Sequence, residues 1–128
     1  MSNKHCLVVD DSDVVRRVTK HMLGALRFDA SDAVSGYDAL ECCRKSMPDA
    51  ILLDSSMPAL SGPTQTSLEC LQSLRRMPGG KAPIVLYCTA ENDPAEFARA
   101  IQAGATDVLV KPFDREALRQ KLIAVGLL

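Results

Sequence analysis

The chain of 128 residues lacks any run approaching the ~20 consecutive apolar residues of a transmembrane helix, so a bilayer span is not expected. Its N-terminus, Met1-Ser2-Asn3-Lys4-His5, has no long apolar h-region, and no export signal is read there. Charge of one sign is also missing. The formal net charge is −1, which supplies no global field for nucleic acid or an anionic membrane surface. The cysteines offer no C-x-x-C pair. Cys6, Cys42, Cys43, Cys70 and Cys88 are odd in number, and the adjacent Cys42 and Cys43 would point about 100° apart on a helix, a poor geometry for sharing a metal. Cys6 and Cys88 lie in apolar strand-like runs. Reduced structural thiols in a reducing, cytoplasmic compartment are expected. No internal repeat, linker or low-complexity tract interrupts the chain, so one domain over residues 1–128 is expected.

What is present is an ordinary globular composition, 47% hydrophobic and 24% charged. A domain of this size buries roughly two-thirds of its unfolded surface. Ala50-Ile51-Leu52-Leu53-Asp54 is a continuous apolar run ending in one carboxylate, followed by the turn signals Ser55, Ser56, Met57 and Pro58. Such a run suits a strand buried on both faces, with Asp54 at its C-terminal end. Taken alone, Asp54 reads more readily as a turn-forming or helix-capping residue.

The same grammar repeats along the chain. His5-Cys6-Leu7-Val8-Val9 is a strand ended by Asp10-Asp11, and Val14, Val15, Val18, Met22 and Leu23 follow at the spacing of one helix face. Ser12 or Asp13 is its N-cap. Phe28 to Val34 is a weak, half-wet edge strand. A helix from Tyr37 toward Met47 turns Leu40 and Cys43 inward and stops at Pro48. Pro58, Ser61, Gly62, Pro63 and Thr64 make a polar loop, and Leu68, Leu71 and Leu74 then mark a helix ended by Pro78-Gly79-Gly80. Ile84 to Cys88 is a buried strand reaching Thr89. Asn92 or Asp93 caps a helix with Pro94 at its first position, carrying Phe97, Ala100 and Ile101 and closed by Gly104. Val108 to Val110 is the fifth strand, ending at Lys111-Pro112, and Asp114 caps a last helix with Leu118, Leu122, Ile123 and Val125.

Strict β-α alternation predicts an α/β doubly wound, five-stranded parallel sheet with helices on both faces. Right-handed crossovers then bring every strand's C-terminal end to one edge, which gathers Asp10, Asp11, Asp54, Thr89 and Lys111. Three carboxylates in one crevice repel one another unless protonated or held by a cation. An all-oxygen set without His or Cys favours a hard cation, Mg²⁺ in a cell. A cation, an ammonium and a hydroxyl together suit a phosphoryl group, and a carboxylate can be the nucleophile that accepts it. Asp54 is the best placed to do so. Each residue also has an ordinary explanation: Asp10 and Asp11 as caps, Thr89 as a strand-end turn residue, Lys111 as a solvated charge. Their joint placement at successive strand ends favours the site.

The motifs Val8-Val9-Asp10-Asp11-Ser12, Leu53-Asp54-Ser55-Ser56-Met57-Pro58, Thr89-Ala90 and Lys111-Pro112-Phe113 resemble those of the two-component response-regulator receiver domains, and the chain is similar to their CheY-like single-domain members. The segments Leu68-Glu69-Cys70-Leu71, Arg75-Arg76-Met77-Pro78-Gly79-Gly80 and Thr89-Ala90-Glu91-Asn92-Asp93 look like chemotaxis regulators of the alphaproteobacterial kind. The resemblance implies strand order 2-1-3-4-5. It implies that Asp54 accepts a phosphoryl group from a sensor histidine kinase. Asp11 would bind Mg²⁺ directly and Asp10 mainly through water, with Asp54 and the Ser56 backbone carbonyl completing the ligands. Thr89, Ala90 and Lys111 would meet the phosphoryl, and Ser56 and Glu91 would tune its hydrolysis. No separate output module is expected, so signalling would be by protein contact through a face around Phe97, Ile101, Val108 and Lys121. The target would be a flagellar motor switch or another signalling protein, bound by a monomer. Draining phosphate from a kinase, or relaying it to another phosphotransfer protein, is the alternative within this class.

Two departures stand out. Val108 occupies the position where the family usually carries a Tyr or Phe that couples to the Thr. The segment from Gly62 to Leu68 is longer than usual by roughly five residues, a modest closure cost; Pro63-Thr64-Gln65-Thr66-Ser67 would lie beside the acceptor. A small aspartyl-phosphate phosphatase of the haloacid-dehalogenase type fits poorly, because it needs an Asp two residues after the nucleophile, where this chain has Ser56. A flavodoxin-type FMN site fits poorly too, since the first strand loop presents two acids to a phosphate.

Overall fold

The computed structural model describes residues 3–57 and 66–128. β1 (His5–Val9) leads into α1 (Asp13–Ala25), and β2 (Asp29–Ala33) into α2 (Gly36–Lys45). After β3 (Ala50–Asp54) come α3 (Ser67–Arg76), β4 (Ile84–Thr89), α4 (Pro94–Ala103), β5 (Asp107–Val110) and α5 (Arg115–Ala124). The strands form one parallel sheet in the order β2-β1-β3-β4-β5, as the resemblance implies. β3 is buried at every position, whereas β2 on the edge has a wet start at Asp29. The loop residues Pro58, Ser61, Gly62, Pro63, Thr64 and Gln65 lie outside the described residues.

Each helix begins on a side chain that takes an otherwise unpaired N–H. Ser12 accepts from Val15, Ser35 from Asp38, Thr66 from Glu69, Asp93 from Ala95 and Asp114 from Ala117. Thr66 and Glu69 form a reciprocal capping pair, the Thr66 hydroxyl donating to Glu69 Oε1 at 3.2 Å while accepting from the Glu69 N–H at 3.2 Å. α4 ends on Gly104, whose φ of +119° is open to glycine and strained for other residues.

The sheet has an apolar layer on each face. Leu7, Val9, Ile51, Leu53, Val85 and Tyr87 face α2, α3 and α4. Cys6, Val8, Leu52, Leu86, Cys88 and Leu109 face α1 and α5. This alternation along strands buried on both sides is the two-residue period of a strand made continuous by its hydrophobic neighbours.

Three placements differ from the sequence reading. In α1, Val14 and Val18 are exposed, and Arg16, Thr19 and Leu23 are the buried residues. The valines satisfy a helical period, but Arg16 is drawn inward by the polar groups at the end of β1. α2 stops at Lys45, before Pro48, with Ser46 as its extended C-cap. Ile123 in α5 is exposed, leaving Leu118 and Leu122 as the buried pair.

Candidate functional site

The C-terminal edge of the sheet brings the acids together as expected. Asp10, Asp11 and Asp54 each offer a carboxylate oxygen, all within 4.8 Å of one another. Asp10 and Asp54 are buried and Asp11 is exposed, so the cluster opens to solvent on one side. Asp10 is fixed from several directions. Its N–H donates to the Ala33 carbonyl at 3.2 Å, and its Oδ1 accepts from the Ser12 N–H at 2.9 Å. Its own carbonyl accepts from Arg16 Nη1 at 2.7 Å. Asp54 is held through its backbone: the Ser67 hydroxyl, at the start of α3, donates to the Asp54 carbonyl at 2.5 Å.

Lys111 joins the two buried carboxylates. Its Nζ donates to Asp10 Oδ2 and to Asp54 Oδ1, each at 2.8 Å. Burial alone would depress this ammonium's pKa. The hydrogen bonds and charges of Asp10 and Asp54 outweigh that and hold it above the ordinary lysine value. Among the described residues no group donates to Asp54 Oδ2. The donor set, oxygen-only and acid-rich, fits a hard divalent cation. Cys88, which pairs with Asp54 in the sheet register, is no rival nucleophile: burial pushes its thiol up to about 12.

Thr89 is wholly buried at the end of β4. Its hydroxyl accepts from the Glu91 N–H at 3.0 Å and donates to Glu96 Oε1 at 3.3 Å. It is therefore turned toward α4. Ala90, Glu91 and Ser56 are exposed around the rim. Of the residues expected on an output face, Ile101 is exposed and Phe97 is half-buried against the core. Lys121 is tied to Asp107 at 3.2 Å. Val108 is buried, contrary to expectation, because it stacks in register beside Tyr87 under α4; Val110 is the exposed β5 residue.

Two supporting residues, Arg16 and Glu96, escaped the sequence reading, whereas Ser67 belongs to the stretch expected beside the acceptor. Arg16 donates Nε to Asp32 Oδ2 at 2.9 Å and pairs with Asp13, so it ties α1, β1 and β2 together behind Asp10. The Asp13–Arg16 spacing of i, i+3 was a visible signal. Glu96 accepts from Thr89 between α4 and β4, and no local pattern marks it. Beside Lys111, the exposed Val14 and Val18 with Val15, Met22, Pro112 and Phe113 line a shallow apolar groove of about 240 Å³.

The doubly wound sheet, with an acidic pair, a lone Asp, a Thr and a Lys on successive strand ends, defines a class of phosphoryl-handling regulatory domains. A model of the response regulator receiver domain matches residues 6–123. The chemotaxis protein CheY-3 of Vibrio cholerae is 33% identical over 121 residues, 94% of this chain and 89% of that protein. The structure of Vibrio cholerae CheY4 superposes with a TM-score of 0.88 at 31% identity, covering 97% of this chain and 99% of the other. The receiver domain of the Pseudomonas aeruginosa sensor histidine kinase PA1611, solved with a magnesium ion coordinated in its active site cleft, gives a TM-score of 0.84 at 26% identity, covering 98% and 99%. Other curated relatives are longer, and the chain spans about half of them, 49% of a probable transcriptional regulator ycf27 from Porphyridium aerugineum. The chain belongs to the response regulator receiver domain family of two-component systems. Among the described residues no helix is long and apolar enough to cross a membrane.

Proposed function

We propose that Asp54 is a phosphoacceptor and that the chain works as a single receiver unit, switched by its phosphorylation. The observation that carries this reading is the buried Asp54 carboxylate, held 2.8 Å from Lys111 with oxygens of Asp10 and Asp11 within 4.8 Å. In transfer from a phosphohistidine, an Asp54 carboxylate oxygen attacks phosphorus. The O–P bond forms as the N–P bond breaks, and the electron pair returns to the imidazole nitrogen, which takes a proton from water. Lys111 neutralises charge that builds on the phosphoryl oxygens, and the Thr89 hydroxyl supplies a hydrogen bond. Water attacking the same phosphorus restores the carboxylate. This is one phosphoryl accepted and lost, characteristic of a regulator rather than a turnover enzyme.

Mg²⁺ would be held by Asp10, Asp11, Asp54 and the Ser56 carbonyl, and would supply positive charge against the phosphoryl oxygens. The three oxygen donors fit such an ion, and the magnesium in the PA1611 receiver domain supports the choice. The exposed groove of Val14, Val18, Pro112 and Phe113 borders Lys111 and suits the apolar helix face of a phosphohistidine-bearing kinase domain. Downstream signalling would use the surface carrying Ile101 and Val110. Likeness to a chemotaxis protein over 89% of that protein's length supports a motility role. The test is incubation with a small phosphodonor, with and without Mg²⁺. One phosphoryl per chain is expected, lost on chelation and in Asp54→Asn. No labelling, or labelling unchanged in that variant, would overturn the proposal.

A further inference from the structure

The aromatic ring missing at position 108 has a counterpart one strand away. Tyr87 on β4 is the register partner of Val108 on β5. Tyr87 and Thr89 are two residues apart on one strand, so their side chains leave the same face of the sheet. That face is covered by α4, and Tyr87 sits in the apolar layer with Leu53, Ala100 and Val108, with Phe97 packed against it. Tyr87 is 3% exposed, yet its hydroxyl has no hydrogen-bond partner among the described residues. Buried hydroxyls are normally paired, and one left without a partner is costly enough to call for an explanation.

Its surroundings supply one. Burial raises the Tyr87 phenol above its ordinary pKa, and the charges of Glu96 and then Asp54 raise it further, against a smaller opposing effect of Arg99. Both carboxylates therefore act on this hydroxyl. Glu96 is already engaged, accepting from Thr89 at 3.3 Å. A hydroxyl has one hydrogen to give, so Thr89 cannot serve Glu96 and a phosphoryl oxygen on Asp54 together. Once Thr89 turns to the phosphoryl, the Glu96 carboxylate loses its donor, and Tyr87 is an unpaired donor on the same face of the sheet.

We propose that Glu96 is exchanged between two donors: it accepts from Thr89 when Asp54 is bare and from Tyr87 when Asp54 carries a phosphoryl group. This rests on the reading of Asp54 as phosphoacceptor. Glu96 lies in the first turn of α4, so the exchange moves that helix. Tyr87 and Glu96 are positioning residues, and together they do the coupling that a ring at position 108 would otherwise do.

The chain has no tryptophan and two tyrosines, so in a Tyr37→Phe background the emission is that of Tyr87 alone. A phenol donating to a carboxylate emits less. Beryllofluoride with Mg²⁺ should lower this emission, and Glu96→Gln in the same background should lose the drop. In parallel, hydrogen exchange of the α4 amides should change on adding beryllofluoride to the unsubstituted chain. Tyr87→Phe, which keeps the ring, should lose that change while accepting a phosphoryl from a small donor to the same extent. An α4 response of unchanged size in Tyr87→Phe with labelling intact, or an emission drop that survives Glu96→Gln, overturns the exchange and leaves the acceptor reading standing. Absence of labelling in the unsubstituted chain overturns both.

Discussion

α4 and α5 flank the same two strands, β4 and β5, from opposite faces, and they are held very differently. α5 plants Leu118 and Leu122 in the apolar layer, both fully buried beside Leu86 and Leu109. α4 buries one residue, Ala100, and begins with Glu96 reaching for Thr89. A helix anchored by two leucines resists displacement, because each buried side chain carries its own transfer free energy and close packing. A helix anchored by one buried methyl group, the half-buried Phe97 and Ala103, and one hydrogen bond from Thr89 shifts at smaller cost. α4, beside the acidic cluster, is the less firmly packed of the two helices.

That contrast is easiest to break from the α5 side. Leu118→Ala should cost about 2–5 kcal/mol, read from the midpoint of urea unfolding. A loss below that range would mean α5 is no better anchored than its neighbour. Lys111→Met, at the edge between the two helices, leaves Asp10 and Asp54 facing each other without their shared cation. The expected loss is about 1–3 kcal/mol, less than the roughly 3–5 kcal/mol of a fully buried broken pair because Lys111 is partly wet. Added Mg²⁺ should recover more stability in this variant than in the unsubstituted chain.

The same lysine has a pH signature. Its pKa is held above the ordinary value of 10.5, so its stabilising contribution is fully present below that value and lost as pH rises through the higher folded-state value. The unfolding midpoint should fall more steeply above about pH 10.5 in the unsubstituted chain than in Lys111→Met. On the α4 side, Ala100→Gly should cost about 1 kcal/mol, chiefly backbone entropy. A much larger cost would show that α4 is clamped by more than Ala100.

The smallest effect concerns thiols. Cys42 is half-exposed, whereas burial pushes Cys6 and Cys70 up to about 12 and Cys43 up to about 11. An aromatic disulfide reagent should therefore modify Cys42 first, and the stability of the chain should hardly change. Early reaction of Cys88 would mean that the layer between α5 and the sheet opens readily.

The strand ends were legible because each closes a short apolar run. Asp10, Asp54, Thr89 and Lys111 announce themselves at the point where Val9, Leu53, Cys88 and Val110 stop, and parallel topology then gathers them without further information. Caps were legible for the same local reason, as with Asp93 and Asp114. What pattern could not show was which polar residue is pulled inward. Arg16 follows two valines on a helix and reads as solvated, yet two groups from neighbouring elements, the Asp10 carbonyl and the Asp32 carboxylate, take it into the interior while Val14 stays wet. Helical period reports a face, and tertiary hydrogen bonds decide how that face is turned. Val108 reads from sequence as part of a protein-contact face with Phe97, Ile101 and Lys121. Its burial beside Tyr87 depends on register between strands, which no single segment encodes.

Asp54 as phosphoacceptor is tested most directly by trapping the acyl phosphate. After reaction with a small phosphodonor and Mg²⁺, borohydride reduces a phosphorylated aspartate to homoserine, and peptide mapping locates it. Conversion is expected at position 54 and not at positions 10 and 11, whose carboxylates would hold the cation. Conversion at either of those positions, or at none, would contradict that role for Asp54.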